Sequence, residues 1–454
     1  MYRKIRFYFR LLLAFVKKYI RIFLLGLILG ILGFFFIPKF ISSLPQIRFN
    51  HKIAYVGRYT LTTLPLPVQQ QISIGLTSID PSGLPSPAVA KSWEATDSGK
   101  TYIFTLNEQL RWQDDTPLHS QDIKYNFRDA KIEYPDLSHL IIKLQDPFSP
   151  LPTILSSPIF KTSKTSGLFP KLEYYGLGPY KIQSYRKNGP YLESLSLSPT
   201  NISSRLPRLQ YFFYQSEGSA RTAFKLGIVD EISDLQELGE LANWPNVSIV
   251  PKVQSDRYTA VFFNTKDPNF QGTAGKNLRM SLAYALDKSR WQNRVFGPIS
   301  SQSWVYDPDL RHFDLDFEKS KTLLQKVEKV PQKIILSTTT AYLKDAEYIK
   351  SDWEKLGISI DIQVIQDIPD NFQVLLIAQS IPPDPDQYNY WHSTKSTNLT
   401  GINNPRIDKK LEDGRKTFDS EERRELYLDF QKTLSEEVAA IFLFNPQNYT
   451  LTRN

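Results

Sequence analysis

The residues best suited to chemistry lie in one short stretch, Ile381 to Ser393, which reads I-P-P-D-P-D-Q-Y-N-Y-W-H-S. Asp384 and Asp386 offer anionic acceptors. Tyr388, Tyr390 and Trp391 offer flat apolar faces, and Pro382, Pro383 and Pro385 stiffen the backbone that carries them. Rigid aromatic surface with a few placed polar groups is what a small-ligand cleft needs. A plainer reading also fits: an aspartate caps the next helix and the aromatics pack into a core. Catalysis finds little elsewhere. The chain has no Cys, which excludes disulfides, thiolate nucleophiles and Cys-ligated metals. It has no G-x-S-x-G, no H-E-x-x-H and no Walker loop, because the Gly272 to Asn277 stretch has the wrong spacing. His119, His139, His312 and His392 show no partner pattern. Asp314, Asp316 and Glu318 lack the glycine turn of a calcium loop and read as a solvated helix start. The residues point to binding rather than catalysis, with no metal and no cofactor.

The elements around this stretch alternate between strand and helix patterns. Directly before it, Phe372–Ala378 reads as a strongly apolar strand, and loops at strand ends are where α/β proteins hold ligands. Thr101–Leu106, Leu140–Leu144, Tyr180–Tyr185, Leu192–Leu197 and Leu209–Tyr214 read as strands in the first half. Ser120 to Phe127 reads as a short helix with Ser120 at its N-cap, and Ser219–Leu226 as a helix stopped by Gly227. In the second half, Tyr258–Phe263, Ile334–Ser337, Ile358–Val364 and Ala439–Phe444 read as strands. Leu278–Leu286, Phe317–Val327, Ala341–Leu356 and Glu421–Leu434 read as helices. Asn264, at the end of the strand Tyr258–Phe263, is a candidate amide contact, and Trp304 and Tyr306 are candidate stacking surfaces. About 400 residues exceed one core, so two α/β lobes are expected.

Charge divides the chain of 454 residues unevenly. Its formal net charge is +8, which invites a nucleic-acid reading. Yet residues 1–49 hold nine Lys or Arg and no acid, leaving 46 cations against 47 anions in residues 50–454. The large part gives no electrostatic reason to bind nucleic acid. Residues 1–21 form a basic segment, and Ile22 to Pro38 is an uncharged apolar run of seventeen residues. Extended to Ile41, that run is long enough to cross a bilayer. A transmembrane helix over 22–41 is expected, with the basic N-terminus cytoplasmic and the main part extracellular or periplasmic. No small-residue cleavage site follows it, so an uncleaved anchor fits better than a signal peptide. Residues 42–50 read as a stalk.

Several motifs, in order, carry a resemblance. They are Pro87-Ala-Val-Ala-Lys-Ser-Trp93, Gly99-Lys-Thr-Tyr-Ile-Phe-Thr-Leu106, Arg111-Trp-Gln-Asp-Asp-Thr-Pro-Leu118, Asp122-Ile-Lys-Tyr-Asn-Phe127, Gly178-Pro-Tyr180, Leu226-Gly-Ile-Val-Asp230, Phe263-Asn-Thr-Lys266, Leu278 to Asp287 and Asp384-Pro-Asp386. With them the chain resembles the family 5 substrate-binding proteins of ABC transporters, the oligopeptide, dipeptide and nickel-binding group. The resemblance implies a two-lobed, periplasmic-binding-protein-like (type II) clamp with mixed sheets. Lobe 1 would span 51–257, completed by 445–454, and lobe 2 would span 258–444. It implies a solute receptor that holds a short peptide or similar extended polar solute and presents it to an ABC permease. Where peptide binders of the family carry an Asp that pairs with a peptide α-amino group, this chain has Ile381. The compact stretch between Phe127 and Phe160 implies a reduced subdomain. A second reading follows from Ile381: a ligand-free surface scaffold or adhesion protein on the same fold.

Overall fold

The computed structural model describes residues 50–164, 172–201 and 205–454, with scattered positions before residue 50. Two large sheets organise the chain from His51 onward. The first has seven strands, in the order Tyr180–Asn188, Tyr191–Pro199, Arg208–Tyr214, Asn50–Val56, Glu231–Leu235, Gln447–Arg453 and Val247–Val253. The second has five, in the order Ser359–Val364, Lys333–Thr338, Val374–Ser380, Arg257–Phe263 and Ala440–Phe444. Both mix parallel and antiparallel pairs: Asn50–Val56 runs parallel to Glu231–Leu235, and Lys333–Thr338 runs parallel to both of its neighbours. A four-stranded antiparallel sheet, ordered Ala90–Thr96, Thr101–Leu106, His139–Leu144 and Ala130–Glu133, flanks the first. It has its own core around Tyr102, Phe104, Trp112, Leu140 and Ile142. Two of its four strands, His139–Leu144 and Ala130–Glu133, fall in the Phe127–Phe160 stretch.

The chain passes from the first sheet to the second through residues 254–256 and returns through 445–446. The two crossings are stitched together: the Gln254 amide donates to the Pro446 carbonyl (2.8 Å), and Asn445 Nδ2 donates to the Arg257 carbonyl (2.7 Å). The second sheet is buried on both faces. Val261, Phe263, Leu336 and Leu376 pack under helices Gly272–Ala285 and Leu343–Trp353, and Phe262, Leu375 and Ile377 pack under the long helix Ser420–Glu437. Near-continuous apolar runs are expected of strands covered on both sides.

Most expected elements form. The helix expected at Ser120–Phe127 does not: only a 3-10 turn at Ser120–Asp122 exists. The Asp122 carboxylate folds back to accept from the His119 amide and from Trp112 Nε1, both at 3.0 Å. The chain then leaves Ile123 extended, and Tyr125 and Phe127 stack on each other. Ser120 is not the cap; it lies inside the turn and donates to the Asp136 carbonyl. Helix Phe317–Leu324 ends one turn earlier than the pattern suggests, with Asp316 as its N-cap. Among the described residues no helix is long and apolar enough to cross a membrane. The expected span 22–41 lies outside the described residues apart from Gly26 and Gly30.

Candidate functional site

The stretch after strand Val374–Ser380 forms a loop and then a single helical turn, Tyr388–Trp391. The strand is central in its sheet, which fixes where the loop begins. The Ile381 amide donates to the Asp256 carbonyl at 2.7 Å, so the loop starts against the first crossing. Each aspartate then organises a turn. Asp384 Oδ1 accepts from the Asp386 amide (2.9 Å), and Asp386 Oδ1 accepts from the Tyr388 amide (3.1 Å). Such side-chain turns are what Asp does where the chain leaves a strand.

Neither carboxylate is left free. Arg423, from the long helix, grips Asp384 with both terminal nitrogens, one of them at 3.0 Å from Oδ2. Both partners are buried, and Arg423 Nε also donates to the Gly414 carbonyl at 2.8 Å. Burial works against the Arg423 guanidinium, but the Asp384 charge wins and holds its pKa above the ordinary value. Arg415 Nε donates to Asp386 Oδ2 at 3.0 Å and lies over the Tyr388 ring at 4.2 Å. Burial raises the Asp386 pKa, and Arg415 opposes the rise. A buried carboxylate without a cation is strongly destabilising, so each acid implies a partner that the sequence pattern does not reveal.

Two cavities flank the loop. One, of about 590 Å³, lies between the four-stranded sheet side and the second lobe. Phe127, Arg128, Asp146 and Phe148 face Tyr388, Glu412 and Arg415 across it. The other, of about 330 Å³, lies between the Ile79–Gly83 turn and the loop from Ile381 to Gln387. Between the cavities the lobes touch. The Ser149 amide donates to the Arg415 carbonyl (2.8 Å), Ser149 Oγ donates to the Gly414 carbonyl (3.2 Å), and Phe418 lies against Gly99 and Tyr102. Volumes of this size suit small ligands.

The candidate residues divide. Ile381 is buried and lines the smaller cavity; Tyr388 lines the larger one and stacks on His392 at 4.1 Å between centroids. Asp384 and Asp386 sit between the cavities, locked to their arginines. Trp304 lies 5.8 Å from the Arg423 guanidinium and near Gly83, so it joins this region. Trp391 is fully buried, packed near Phe262 and Phe442, and belongs to the core. Tyr306 is partly buried and lines neither cavity. Asn264 is separated from the loop. Strands Arg257–Phe263 and Val374–Ser380 run antiparallel with Arg257 opposite Ser380, so Asn264 lies at the far end, about 20 Å along the strand. There its Nδ2 donates to the Phe372 carbonyl at 2.8 Å.

His392 is buried, with Nε2 3.2 Å from Glu412 and Nδ1 accepting from the Thr394 amide. It lines neither cavity and lies against the Tyr388 ring. Asp314 pairs with Arg294 at 2.9 Å, and Asp316 caps its helix. Among the described residues no group of three acids or histidines could hold a metal ion.

Sequence reasoning missed Arg415 and Arg423, the Ile79–Gly83 turn, and the Phe127–Ala130 and Gln145–Phe148 walls. Only the buried-charge rule hinted at the arginines.

A two-lobed clamp with a rigid loop between interlobe cavities defines a solute-binding protein. The family model of bacterial extracellular solute-binding proteins, family 5 Middle, matches residues 85–400, and the chain belongs to that family. One curated relative, the probable D,D-dipeptide-binding periplasmic protein DdpA of Escherichia coli, is 24% identical over 429 residues, covering 81% of this chain and 80% of the relative. The ABC transporter substrate-binding protein CtaP of Listeria monocytogenes superposes with a TM-score of 0.74 at 18% identity, covering 89% of this chain and 94% of that one. The oligopeptide-binding protein AppA of Bacillus subtilis, in complex with a nonapeptide, superposes at 0.66 with 18% identity, covering 89% and 94%. These likenesses show the fold.

Proposed function

We propose that the chain is a membrane-anchored receptor that binds a short peptide, or a similar extended polar solute, between its lobes and presents it to an ABC permease. The observation that carries this reading is the position of the Ile381–Trp391 loop, wedged between cavities of about 590 and 330 Å³ in a chain of this family. Relatives named for dipeptides and for murein peptides support the ligand class. The larger cavity carries Arg128, Arg415 and Lys416 beside Asp129, Asp146 and Glu412, a balance that suits a ligand with charge of both signs. Lobe 1 comprises 51–257 with 445–454, and lobe 2 comprises 258–444; the stitched crossings support these limits. Closure of the lobes on the solute would create the surface that a permease reads. The charge block in residues 1–21 and the apolar run after it support an anchor over 22–41.

The test is to denature the full chain purified from its membrane and identify released small molecules by mass spectrometry, alongside thermal-shift screening with peptides, sugars and metal chelates. Released peptides, or a rise in Tm with peptides, are expected. Absence of both would sink the reading. The scaffold alternative draws on Ile381 and on the two locked aspartates, and would then stand.

A further inference from the structure

Several strand ends meet where the chain enters its first sheet. The Lys52 amide donates to Asp230 Oδ2 (3.0 Å), and the Asp230 amide donates back to the Lys52 carbonyl (2.8 Å). The Asp230 carbonyl accepts from the Arg453 amide (2.9 Å), and the Asn454 amide donates to the Asn246 carbonyl (3.0 Å). The double crossing to the second sheet lies at the other end. Val253 pairs with Gln447 there, six positions along from the Val247–Arg453 pair, or about 20 Å.

Two apolar side chains stand out from the entry end. Helix Glu217–Lys225 closes at Leu226, Gly227 turns the chain at φ +72°, and Ile228 follows two residues before Asp230. Leu226 is 71% exposed, the most of any large apolar side chain among the described residues, and Ile228 is 46% exposed. Val229, the next residue, is fully buried, so the chain here turns one apolar side chain inwards and its neighbour outwards. Trp244, two residues before Asn246, packs edge-on against Phe224, and Lys225 Nζ lies 5.6 Å from its ring centroid. Exposed aliphatic tips beside a Trp and a long-stemmed Lys are what suits a membrane–water interface.

Chain length says what lies opposite. If the run 22–41 spans the bilayer, only residues 42–50 join it to this end of the sheet. Nine residues reach no further than about 32 Å when fully extended. A tether that short keeps the local concentration of lipid high, so a contact too weak to hold a free protein stays made.

We propose that this end of the first lobe docks on the lipid surface, with Leu226 and Ile228 inserted among the headgroups and Trp244 and Lys225 at the boundary. The inference rests on the anchor in the proposed function and adds a second contact to it. The first lobe is then the one seated on the bilayer, and the double crossing is raised away from it.

The chain has no Cys, so a single introduced cysteine reports one position. The full chain, reconstituted in phosphatidylcholine vesicles with or without nitroxide-headgroup lipid, carries an environment-sensitive fluorophore at Leu226→Cys, at Ile228→Cys or, as a control near the crossing, at Val253→Cys. Labels at Leu226→Cys and Ile228→Cys should shift to the blue and lose intensity to the nitroxide lipid, and the label at Val253→Cys should do neither. A label at Lys225→Cys should also be quenched, and Leu226→Ser with Ile228→Ser should abolish that quenching. Equal quenching at Leu226→Cys and Val253→Cys, or none at Leu226→Cys and Ile228→Cys while the chain floats with the vesicles, overturns the docking and leaves the anchor standing. Quenching at Lys225→Cys that survives the two serines overturns the part given to Leu226 and Ile228. A blue shift that grows with protein per vesicle and is not quenched by the lipid assigns the patch to a second copy of the chain and overturns the lipid contact. A chain that does not float with the vesicles overturns the anchor and the docking with it.

Discussion

Asp384 and Arg423 show how much of a binding loop can be internal scaffolding. Both are buried, and the arginine reaches the loop from a helix of another segment. Removing one charge strands the other. Arg423→Leu should therefore cost about 3–5 kcal/mol, while the double variant Arg423→Leu with Asp384→Leu should recover much of that loss. Urea unfolding of the three proteins checks it; equal losses in single and double variants would mean that the pair is not coupled. Lys288 is a second buried charge. Its ammonium donates to the carbonyls of Ala283 (2.6 Å), Leu286 (3.2 Å) and Phe313, which caps the end of helix Gly272–Ala285. Burial pushes its pKa down to about 7, with Arg294 adding to the shift. The unfolded chain takes up the proton near the ordinary lysine value, so between that value and about 7 it binds more protons than the folded chain. Stability from this group is therefore complete at alkaline pH and is lost as pH falls through that window, by up to about 1.4 kcal/mol per pH unit. Lys288→Met should flatten that slope in pH-dependent denaturation; an unchanged slope would contradict it. The sequence displayed the D-P-D acids and the aromatics plainly. It could not show that the acids were spoken for, because pairing across 29 and 39 residues leaves no periodic trace.

At the level of elements, alternating and apolar runs located all five strands of the second sheet but only three of the seven in the first, where Asn50–Val56, Glu231–Leu235, Val247–Val253 and Gln447–Arg453 were not expected. Gly227 ends its helix as expected, at φ +72°, and Gly357 does the same after Leu356, at φ +81°. The failure at Ser120–Phe127 came from local hydrogen bonding by Asp122 and from aromatic side chains drawn into a core of distant residues. Tertiary packing overrides propensity there. Register decided the fate of Asn264: antiparallel pairing sends it to the opposite end of the sheet from the loop. Packing at the seam between lobes is equally invisible in one dimension. Gly99 has φ +85°, and a Cβ on it would run into the Phe418 ring. Gly99→Ala should destabilise the chain by about 1–3 kcal/mol through backbone strain and should also spread the seam. Phe418→Ala should spread the seam without strain. Small-angle scattering of the ligand-free proteins should report a larger radius of gyration for both variants; compact scattering from both would show that this contact does not hold the lobes.

Across the whole molecule, the +8 charge comes from residues 1–49 and not from the part that carries the two sheets. The nine cations of residues 1–49 sit in the proposed tether, and the rest is nearly neutral. Deleting residues 1–49 should move the protein from carbonate-washed membranes to the soluble fraction while leaving peptide-induced stabilisation intact. Retention in the membrane would place the attachment elsewhere. The stitched crossings carry one more consequence. Because Gln254 bonds to Pro446 and Asn445 to Arg257, the two chain passages are tied side by side into one double crossing. Ile381 is fastened to Asp256 within that same pivot. If the proposed receptor closes about this double crossing, the loop is the short arm of a lever with its fulcrum there, and the escape of a solute held by the loop can be no faster than the opening of the lobes.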